Sequence, residues 1–248
     1  MKILVCISNV PDTTSKINFT NGDTEFDTNG VQFVINPNDE FGLTRAVWFK
    51  EQQSATVTVV SVGLADSEAT LRKALAIGAD DAIRINANPT DGTFVAKQLA
   101  EIANQGNYDL IIAGKESLDY NGGMVPGMLS ASLGYNFINS CISLTIDGNN
   151  ATAQREIDGG KETLSATLPL VVGGQKGLVE EKDLRIPNMR GIMQARTKVI
   201  TVVEPTNNDT ATKAVKFEKP VAKSAVKLVS ADNLDELVNL LHNEAKVI

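Results

Sequence analysis

The sequence predicts an α/β protein with a doubly wound, mostly parallel sheet, antiparallel hairpin strands and an extended C-terminal arm. Through the first half of the chain, short apolar runs alternate with amphipathic segments, as in βαβ units with helices on both faces of a sheet. After about residue 138 the pattern becomes an alternation around Asp-Gly turns, which is typical of hairpins. Toward the C-terminus, charged residues and prolines interrupt the hydrophobic periodicity of helices and strands, so an extended arm is expected there.

Four apolar runs in the first half of the chain are predicted to be strands buried on both faces. They read KILVCIS, ATVTVVSVG, DAIRIN and YDLIIAG. The segments that follow these runs are predicted helices, and they read NPNDEFGLTRAVWFKEQ, DSEATLRKALAIGAD, DGTFVAKQLAEIANQG and VPGMLSASLG. We expect Asn38 or Asp39 to cap the first helix, while Ser67 caps the second and Gly78 ends it.

The segment CISLTIDGNNATAQREIDGGKETLSATLPLVVGG is predicted to extend the sheet with antiparallel strands. From about Gly173 no helical period is visible, yet valines and isoleucines recur, and an arm that wraps a partner chain explains both facts. One amphipathic helix over residues 233–244, capped by Asp232, is expected to close the chain. We therefore divide the chain into an α/β domain over residues 1–205 and an arm with its helix over residues 206–248.

Composition excludes several classes of function. The formal net charge is −7 and no basic patch is present, which argues against a nucleic-acid partner. No apolar run reaches the roughly 18 residues of a membrane span, so membrane insertion is not expected. Cys6 and Cys141 lie far apart without a CxxC partner, so we expect neither a disulfide framework nor a metal site, and a reducing cytoplasmic location. The single histidine, His242, lies in the last predicted helix, which leaves little scope for histidine-based catalysis.

A candidate ligand site lies at the carboxyl ends of the predicted strands, because ligands of open parallel sheets bind where the strand order reverses. The run GKESLDYNGGMVPGMLSASLG leaves the fourth strand through glycines and enters a helix with Pro126 in its first turn. The amides of residues 122–125 would point outward at the positive end of a helix dipole, which favours a phosphate.

The same run limits what this site could hold. No GxxxxGK[ST] or GxGxxG motif is present, so the residues leave two alternatives, one mononucleotide phosphate or a simple glycine turn. Ser117 and Cys6 have no histidine to activate them, so we expect no catalytic residues at this site.

Two stretches carry a resemblance to a known family. REIDGGKETLSATLPLVVG and IPNMRGIMQARTKVI resemble the signature of the electron transfer flavoprotein β subunit. MKILVCISNVPDTTSKI, INPNDEFGLTRAV, TLRKALAIGADDAI and DLIIAGKESLDYNG are similar to that family as well, so the resemblance covers nearly the whole chain.

The resemblance implies a nucleotide-binding domain of the adenine-nucleotide α-hydrolase type that holds a structural AMP. An α subunit would be the partner and would hold most of a redox-active FAD. Electrons would come from flavin dehydrogenases, such as acyl-CoA dehydrogenases, and pass to a quinone oxidoreductase or another acceptor, with no catalytic residue in this chain. Two alternatives stay open, a bifurcating relative with a second FAD in place of AMP and a nucleotide-binding scaffold without electron transfer.

By position, the resemblance assigns the AMP contacts to two short segments and several single residues. They are Cys6, Asn36, Pro37, Asn38, Asp39, Val62, Gly114, Ser117, Asp119, Tyr120, Asn121, Gly122, Gly123, Met124 and Val125. Many family members carry a side-chain amide at the phosphate end, where this chain has Gly123-Met124-Val125. Backbone amides would therefore bind the phosphate here.

The resemblance also implies a recognition loop for dehydrogenases over residues 184–198. Met189 is the candidate docking side chain, with Leu184, Ile186 and Arg190 beside it. A flexible thioether suits binding to several partners, and the alternative is that Met189 packs inside. Glu156 of the signature is expected to meet the α subunit or its mobile flavin domain, or else to form a salt bridge at the hairpin turn.

Overall fold

The computed structural model describes residues 1–206, 209–222 and 225–248, and it shows helices packed on both faces of one large sheet. The strands are β1 (Lys2–Cys6), β2 (Asn9–Pro11), β3 (Phe19–Thr20), β4 (Glu25–Phe26), β5 (Phe33–Ile35), β6 (Thr56–Val62), β7 (Asp81–Ile85), β8 (Leu110–Gly114), β9 (Asn136–Asp147), β10 (Asn150–Ile157), β11 (Gly160–Thr167), β12 (Leu170–Gly174) and β13 (Ile200–Val203). The helices are α1 (Pro37–Gln53), α2 (Glu68–Ile77), α3 (Gly92–Gly106), α4 (Val125–Leu133), α5 (Met189–Thr197) and α6 (Leu234–Asn239).

The large sheet has nine strands in the order β11-β10-β9-β12-β8-β1-β6-β7-β13. Strand β1 pairs in parallel with β6 on one side and with β8 on the other, so Val5 lies between Val59 and Ile112. The chain passes from β1 through β6 to β7 and then returns to the opposite side of β1 at β8, which makes β1 the point where the strand order reverses. The predicted doubly wound, mostly parallel sheet is thus confirmed.

Two hydrophobic clusters, one on each face of the sheet, explain why the parallel strands are continuously apolar. Along β1, Ile3 and Val5 face the cluster that includes α1 and α2, whereas Leu4 and Cys6 face the cluster that includes α3 and α4. Burying a Leu or Ile side chain is worth about 1.5–3 kcal/mol, so a strand covered on both faces is stabilised at every position.

The N-cap of the first helix lies two or three residues before the predicted one. Asn36 is the N-cap of α1 and Pro37 is in the first turn, so the prediction of Asn38 or Asp39 as cap is wrong. Proline suits this position because its missing N–H would have no helical partner. Ser67 and Gly78 bound α2 as predicted, but the Ser67 hydroxyl donates to the Leu64 carbonyl at 2.7 Å instead of capping the helix.

The hairpin segment is antiparallel only in part. Strands β9, β10 and β11 form the predicted antiparallel ribbon. Strand β12, however, pairs in parallel with both β8 and β9, so the expectation that every strand of this segment is antiparallel is wrong. Leu170, Val171 and Val172 are completely buried, as expected of a strand inside a parallel sheet.

The segment after residue 174 is more regular than its sequence indicated. Helix α5 lies within the predicted recognition loop, and β13 adds a parallel edge strand beside β7. The Asn188 side chain caps α5 by accepting the Gly191 amide at 2.8 Å. The helix is short and only Ala195 is buried, which explains its weak period in the sequence.

The C-terminal arm contains no helix or strand in its described residues 209–222 and 225–232, whereas residues 207–208 and 223–224 lie outside the description. Asp91 accepts the amides of Ala211 and Thr212 at 2.6 and 2.9 Å, and Phe217 stacks on Phe19 with ring centroids 5.0 Å apart. The first part of the arm therefore packs against residues of its own α/β domain.

The closing helix differs from the prediction in its cap and in its regularity. Asn233 caps α6, so the assignment of Asp232 is wrong, and a π-helical turn over Leu240–Ala245 follows. No helix in the described part of the chain is long and apolar enough to cross a membrane.

Candidate functional site

The buried carboxylate of Asp39 joins the ends of two neighbouring strands. It lies in the first turn of α1, where it is 2% exposed. One carboxylate oxygen accepts the Ser8 amide just after β1 at 2.7 Å, and the other accepts the Gly114 amide at the end of β8 at 2.8 Å. Asp39 thus fixes the backbone at the point where the strand order reverses.

Burial strongly perturbs the ionisation of this group. It raises the pKa of Asp39 to about 7, although hydrogen bonds from Ser8, Asn36 and Gly114 favour the charged form and oppose the shift. The neighbouring Cys6 thiol is also buried, and this burial, together with Asp39, raises its pKa far above the ordinary range. The thiol therefore stays protonated and unreactive near neutral pH.

Gly114 has no room for a side chain. A Cβ on this residue would lie 2.4 Å from the Asp39 Oδ1, 2.9 Å from the Asn36 Nδ2 and 2.9 Å from the Asn38 Cβ. Only glycine allows the backbone of β8 to approach the first turn of α1 this closely.

Two asparagine side chains hold the loop that follows β8. The amide groups of Asn36 and Asn38 both donate to the Glu116 carbonyl, at 2.9 and 3.2 Å. The Asn36 oxygen also accepts the Leu118 amide at 3.3 Å. Asn36 is 1% exposed, so its amide is a fixed support of the loop.

The loop then doubles back into the start of α4. Ser117 and Gly122 form an isolated antiparallel bridge, and the N-cap of α4, Met124, makes no side-chain capping bond. A Cβ on Gly122 would meet only the Ser117 hydroxyl, at 3.7 Å, and one on Gly123 only the Lys115 carbonyl, at 3.3 Å. The backbone at Gly122 is therefore uncrowded, whereas the backbone at Gly123 lies close to the Lys115 carbonyl.

Most of the predicted nucleotide residues are thus gathered at one edge of the sheet. Cys6 and Val62 end β1 and β6, and residues 36–39 pack against the loop over residues 114–118. Asp119, Tyr120 and Asn121 are exposed at the tip of the loop. Ser8 and Glu116 were not among the assigned nucleotide residues. The Ser8 amide donates to Asp39, and the Glu116 carbonyl accepts the side chains of Asn36 and Asn38.

The predicted docking residues lie on and before α5, on a different surface. Met189 is 74% exposed at the start of the helix and Ile186 is 82% exposed, so neither is a core side chain. Arg190 is exposed as well, whereas Leu184 is partly buried against the core. Met193, which was not predicted, is 64% exposed one turn after Met189, and a spacing of four residues places the two on the same side of the helix.

Glu156 is placed by a hydrogen bond. It lies at the exposed end of β10 and accepts the Gln175 side-chain amide at 2.7 Å. The ion pair of this hairpin joins Arg155 to Glu162 at 2.6 Å. Glu156 therefore lies exposed beside the end of β12. Among the described residues, no group of three or more His, Cys, Asp or Glu side chains could hold a metal ion.

Comparison with known families defines the class of protein. A family model for the electron transfer flavoprotein domain matches residues 23–208, which includes α5 and most of the nucleotide edge, although not Cys6 at the end of β1 or Ser8 after it. The sheet with its flanking helices is therefore an electron transfer flavoprotein domain.

Individual relatives match from end to end. The chain is 34% identical over 262 residues to the electron transfer flavoprotein subunit beta of Bacillus subtilis (strain 168), with 100% of both chains covered. It is 33% identical over 258 residues to the mitochondrial subunit beta of Oryza sativa subsp. japonica and 33% identical over 254 residues to the subunit beta of Bradyrhizobium diazoefficiens, again with 100% of each chain covered. The chain belongs to the electron transfer flavoprotein β-subunit family.

Family membership fixes the general role. Electron transfer flavoproteins are electron transport proteins that work with a flavin, and a β subunit implies an α subunit as its partner. The resemblance drawn from the two signature stretches is thereby confirmed.

Proposed function

We propose that this chain binds a structural AMP, supports an FAD held mainly by the α subunit, and docks flavin dehydrogenases so that electrons pass on to a quinone oxidoreductase or another acceptor. The observation that carries the proposal is the cradle built by Asp39, Asn36 and Gly114 in a chain that matches β subunits over its full length. That cradle fixes the backbone around the residues assigned to AMP. In addition, no side chain caps the first amides of α4, so they are free to bind an anion.

The residues at this edge fit a nucleoside monophosphate. The backbone at Gly122 has no close neighbour except the Ser117 hydroxyl, and the uncapped amides at the start of α4 favour an anion beside it. One helix end supplies donors for one phosphate. The backbone amides that donate to both oxygens of Asp39 reduce the repulsion between its carboxylate and the phosphate.

The FAD supplies the redox chemistry when it is bound. The part of this chain is to present a surface to the α subunit and its flavin. Glu156 is our candidate contact with the α subunit, because it is exposed at the end of β10 and held in place by Gln175.

The arm over residues 206–248 is proposed to embrace the α subunit. Its described part exposes large apolar side chains that a solvated tail would not need. They are Val215, Val221, Val226, Leu228, Leu234, Leu237, Val238, Val247 and Ile248. A chain truncated after Glu204 should lose the heterodimer and remain folded, because the nine strands of the sheet end before that residue.

Docking of dehydrogenases is assigned to the outer side of α5 and the turn before it. Met189 and Ile186 offer exposed apolar contacts, and Arg190 lies beside them. Exposed apolar anchors surrounded by charges are typical of surfaces that bind partners transiently. Acyl-CoA dehydrogenases are the class of electron donor that we expect.

The experiment that tests the proposal is to purify the chain with its α partner, denature the complex and quantify the nucleotides released. One FAD and one AMP per heterodimer is the expected result, and the isolated chain should be colourless. Two FAD molecules per heterodimer would show instead that a flavin fills the β site, as in a bifurcating relative. A complex that releases no AMP and carries no flavin would leave a scaffold as the remaining function.

A further inference from the structure

Helix α5 is held at its C-terminal end by an arginine of another helix. Arg72 of α2 donates from its Nη1 to the carbonyls of Ala195 and Lys198, both at 2.6 Å. The last carbonyls of a helix have no partner within the helix, so an external donor is needed where they are buried. Ala195 is 3% exposed, and its carbonyl receives that donor from Arg72.

Lys198, the residue that ends α5, makes the reciprocal contact from α5 to the end of α2. The Nζ of Lys198 donates to the carbonyls of Ala79 and Asp80, both at 2.8 Å, in the turn after α2. The side chain of Asp80 is itself held, because it accepts the Val57 amide at 2.9 Å and pairs with Lys50 at 2.5 Å. The end of α5 is therefore fixed through this turn to β6 and α1.

The first half of α5 lies directly on α2. A Cβ on Gly191 would stand 2.3 Å from the Ala76 carbonyl oxygen, so only glycine allows this approach. Before the helix, the amide of Arg185 donates to the Thr44 hydroxyl at 3.2 Å and its guanidinium pairs with Glu51 at 2.5 Å. Thus α5 is clamped along its inner side while Met189 and Met193 project outward.

We infer that Arg72 is a positioning residue for dehydrogenase docking, because it holds α5 in the orientation that presents Met189. This inference rests on the docking role proposed above for Met189. Arg72 touches neither the docking surface nor the nucleotide edge, and it acts through the two carbonyls that it binds. A docking side chain on a fixed helix loses less conformational entropy on binding than one on a mobile loop.

The test uses the complete heterodimer and four variants of this chain, of which Met189→Ala reports on docking itself. Arg72→Met removes both hydrogen bonds, Arg72→Lys can restore one of them, and Lys97→Met removes a charge from the exposed side of α3 on the opposite face of the sheet. Hydrogen–deuterium exchange of residues 192–198 is compared with that of α1. Steady-state reduction of each heterodimer by an acyl-CoA dehydrogenase from the same organism gives KM and kcat, and FAD content is measured in each.

Arg72→Met should exchange faster in α5 but not in α1, and its KM as a substrate of the dehydrogenase should rise about tenfold with little change in kcat, as for lost binding alone. Arg72→Lys should lie between Arg72→Met and the wild type, Lys97→Met should match the wild type, and FAD content should be unchanged throughout. An unchanged KM in a variant whose α5 exchanges faster would overturn the inference.

Comparison with Met189→Ala separates this inference from the docking proposal on which it rests. If Met189→Ala raises KM and Arg72→Met does not, docking stands and the positioning role of Arg72 is wrong. If neither variant changes KM, or the wild type accepts no electrons from the dehydrogenase, the docking proposal itself is wrong and this inference with it. If Arg72→Met loses FAD or fails to fold, Arg72→Lys is decisive, and a wild-type KM with faster exchange in α5 refutes the inference.

Discussion

The amide of Gly114 donates to the Asp39 carboxylate at 2.8 Å, and a Cβ on the same glycine would stand 2.4 Å from that oxygen. Asp39 and Gly114 therefore hold the end of β8 close to the first turn of α1, at the point where the strand order reverses. A buried carboxylate is expensive unless its oxygens are paired, and both oxygens of Asp39 are paired with amides.

Gly114→Ala should disrupt this edge. The added methyl group must displace the Asp39 carboxylate or the Asn36 amide, and overpacking of this kind costs about 1–3 kcal/mol. We expect a lower free energy of unfolding in urea and loss of AMP from the purified heterodimer. Gly160→Ala is the matched control, since a Cβ there meets nothing within 4 Å, and it should behave as wild type. Full AMP content in Gly114→Ala would refute the proposed cradle.

Gly122→Val tests the phosphate position with little effect on the empty protein. The nearest atom to a Cβ on Gly122 is the Ser117 hydroxyl at 3.7 Å, whereas one on Gly123 meets the Lys115 carbonyl at 3.3 Å. The valine should fill the space in front of α4 and exclude the nucleotide. Added AMP should then raise the melting temperature of the wild-type heterodimer and leave that of the variant unchanged, because a ligand that binds only the folded state stabilises it by mass action. An equal AMP response would place the phosphate elsewhere.

The raised pKa of Asp39 predicts a specific pH dependence. The ordinary pKa is 3.8 and the folded value is about 7, so between these values the folded state binds the extra proton. The free energy of unfolding contributed by this group is therefore largest at low pH and is lost as the pH rises toward 7, by up to ~1.4 kcal/mol per pH unit. Asp39→Asn cannot ionise, so the stability of this variant relative to wild type should improve as the pH rises from about 5 to about 7.

The measurement for Asp39→Asn is urea denaturation at a series of pH values. The variant should be less stable at pH 5 by roughly 1–3 kcal/mol, because its amide nitrogen cannot accept the second backbone amide. Asp66→Asn, which removes an exposed carboxylate, is the control and should show no comparable trend. A constant difference between Asp39→Asn and wild type across this pH range would mean that Asp39 is ionised throughout.

The sequence predicted the central sheet well because its strands are covered on both faces, and such strands are continuous apolar runs. The direction of a strand relative to its neighbours was harder to predict. The run LVVGG of β12 would have the same sequence pattern in a parallel or an antiparallel pair. The cap of α1 could have been found, because Pro37 favours the first helical position and so points to Asn36.

The sequence predicted which residues lie at the nucleotide edge, but not what each of them does there. The inward turn of Asp39 has no sequence signature, because acidic residues in the first turn of a helix are usually explained by the helix dipole. Likewise, the segment that forms α5 was expected to be a loop. The residues that hold it, Ala76 and Arg72, lie more than 100 positions earlier in the chain, so the local sequence does not reveal them.

Met189→Ala separates docking from stability. The side chain is 74% exposed, so the melting temperature and the AMP and FAD contents should stay near wild type. Electron transfer from an acyl-CoA dehydrogenase should weaken by about fivefold or more, as expected for an anchor worth roughly 1 kcal/mol. Val202→Ala, an exposed apolar change on the edge strand β13, is the control. A marked loss of stability in Met189→Ala would mean that the side chain packs in the complete heterodimer.

Met193→Ala extends the test to the neighbouring turn. Because Met193 projects from the same side of α5 as Met189, the two should contact one dehydrogenase surface together. The double variant should then depart from additivity by about 0.5 kcal/mol or more in a double-mutant cycle on KM. A wild-type KM for Met193→Ala alone, together with additivity in the double variant, would assign docking to Met189 and its preceding turn, with Met193 outside the contact.

Arg190→Glu addresses the charge beside the anchor. Arg190 is exposed next to Met189, and rim charges act mainly on association rates. Charge reversal should therefore slow the second-order reduction of the flavin by the dehydrogenase at low salt, and the difference from wild type should shrink toward about 0.5 M salt, where screening is strong. Reduction by dithionite, which needs no docking, should be the same in both proteins. A defect that persists at high salt would mean that Arg190 makes a desolvated contact at the centre of the interface.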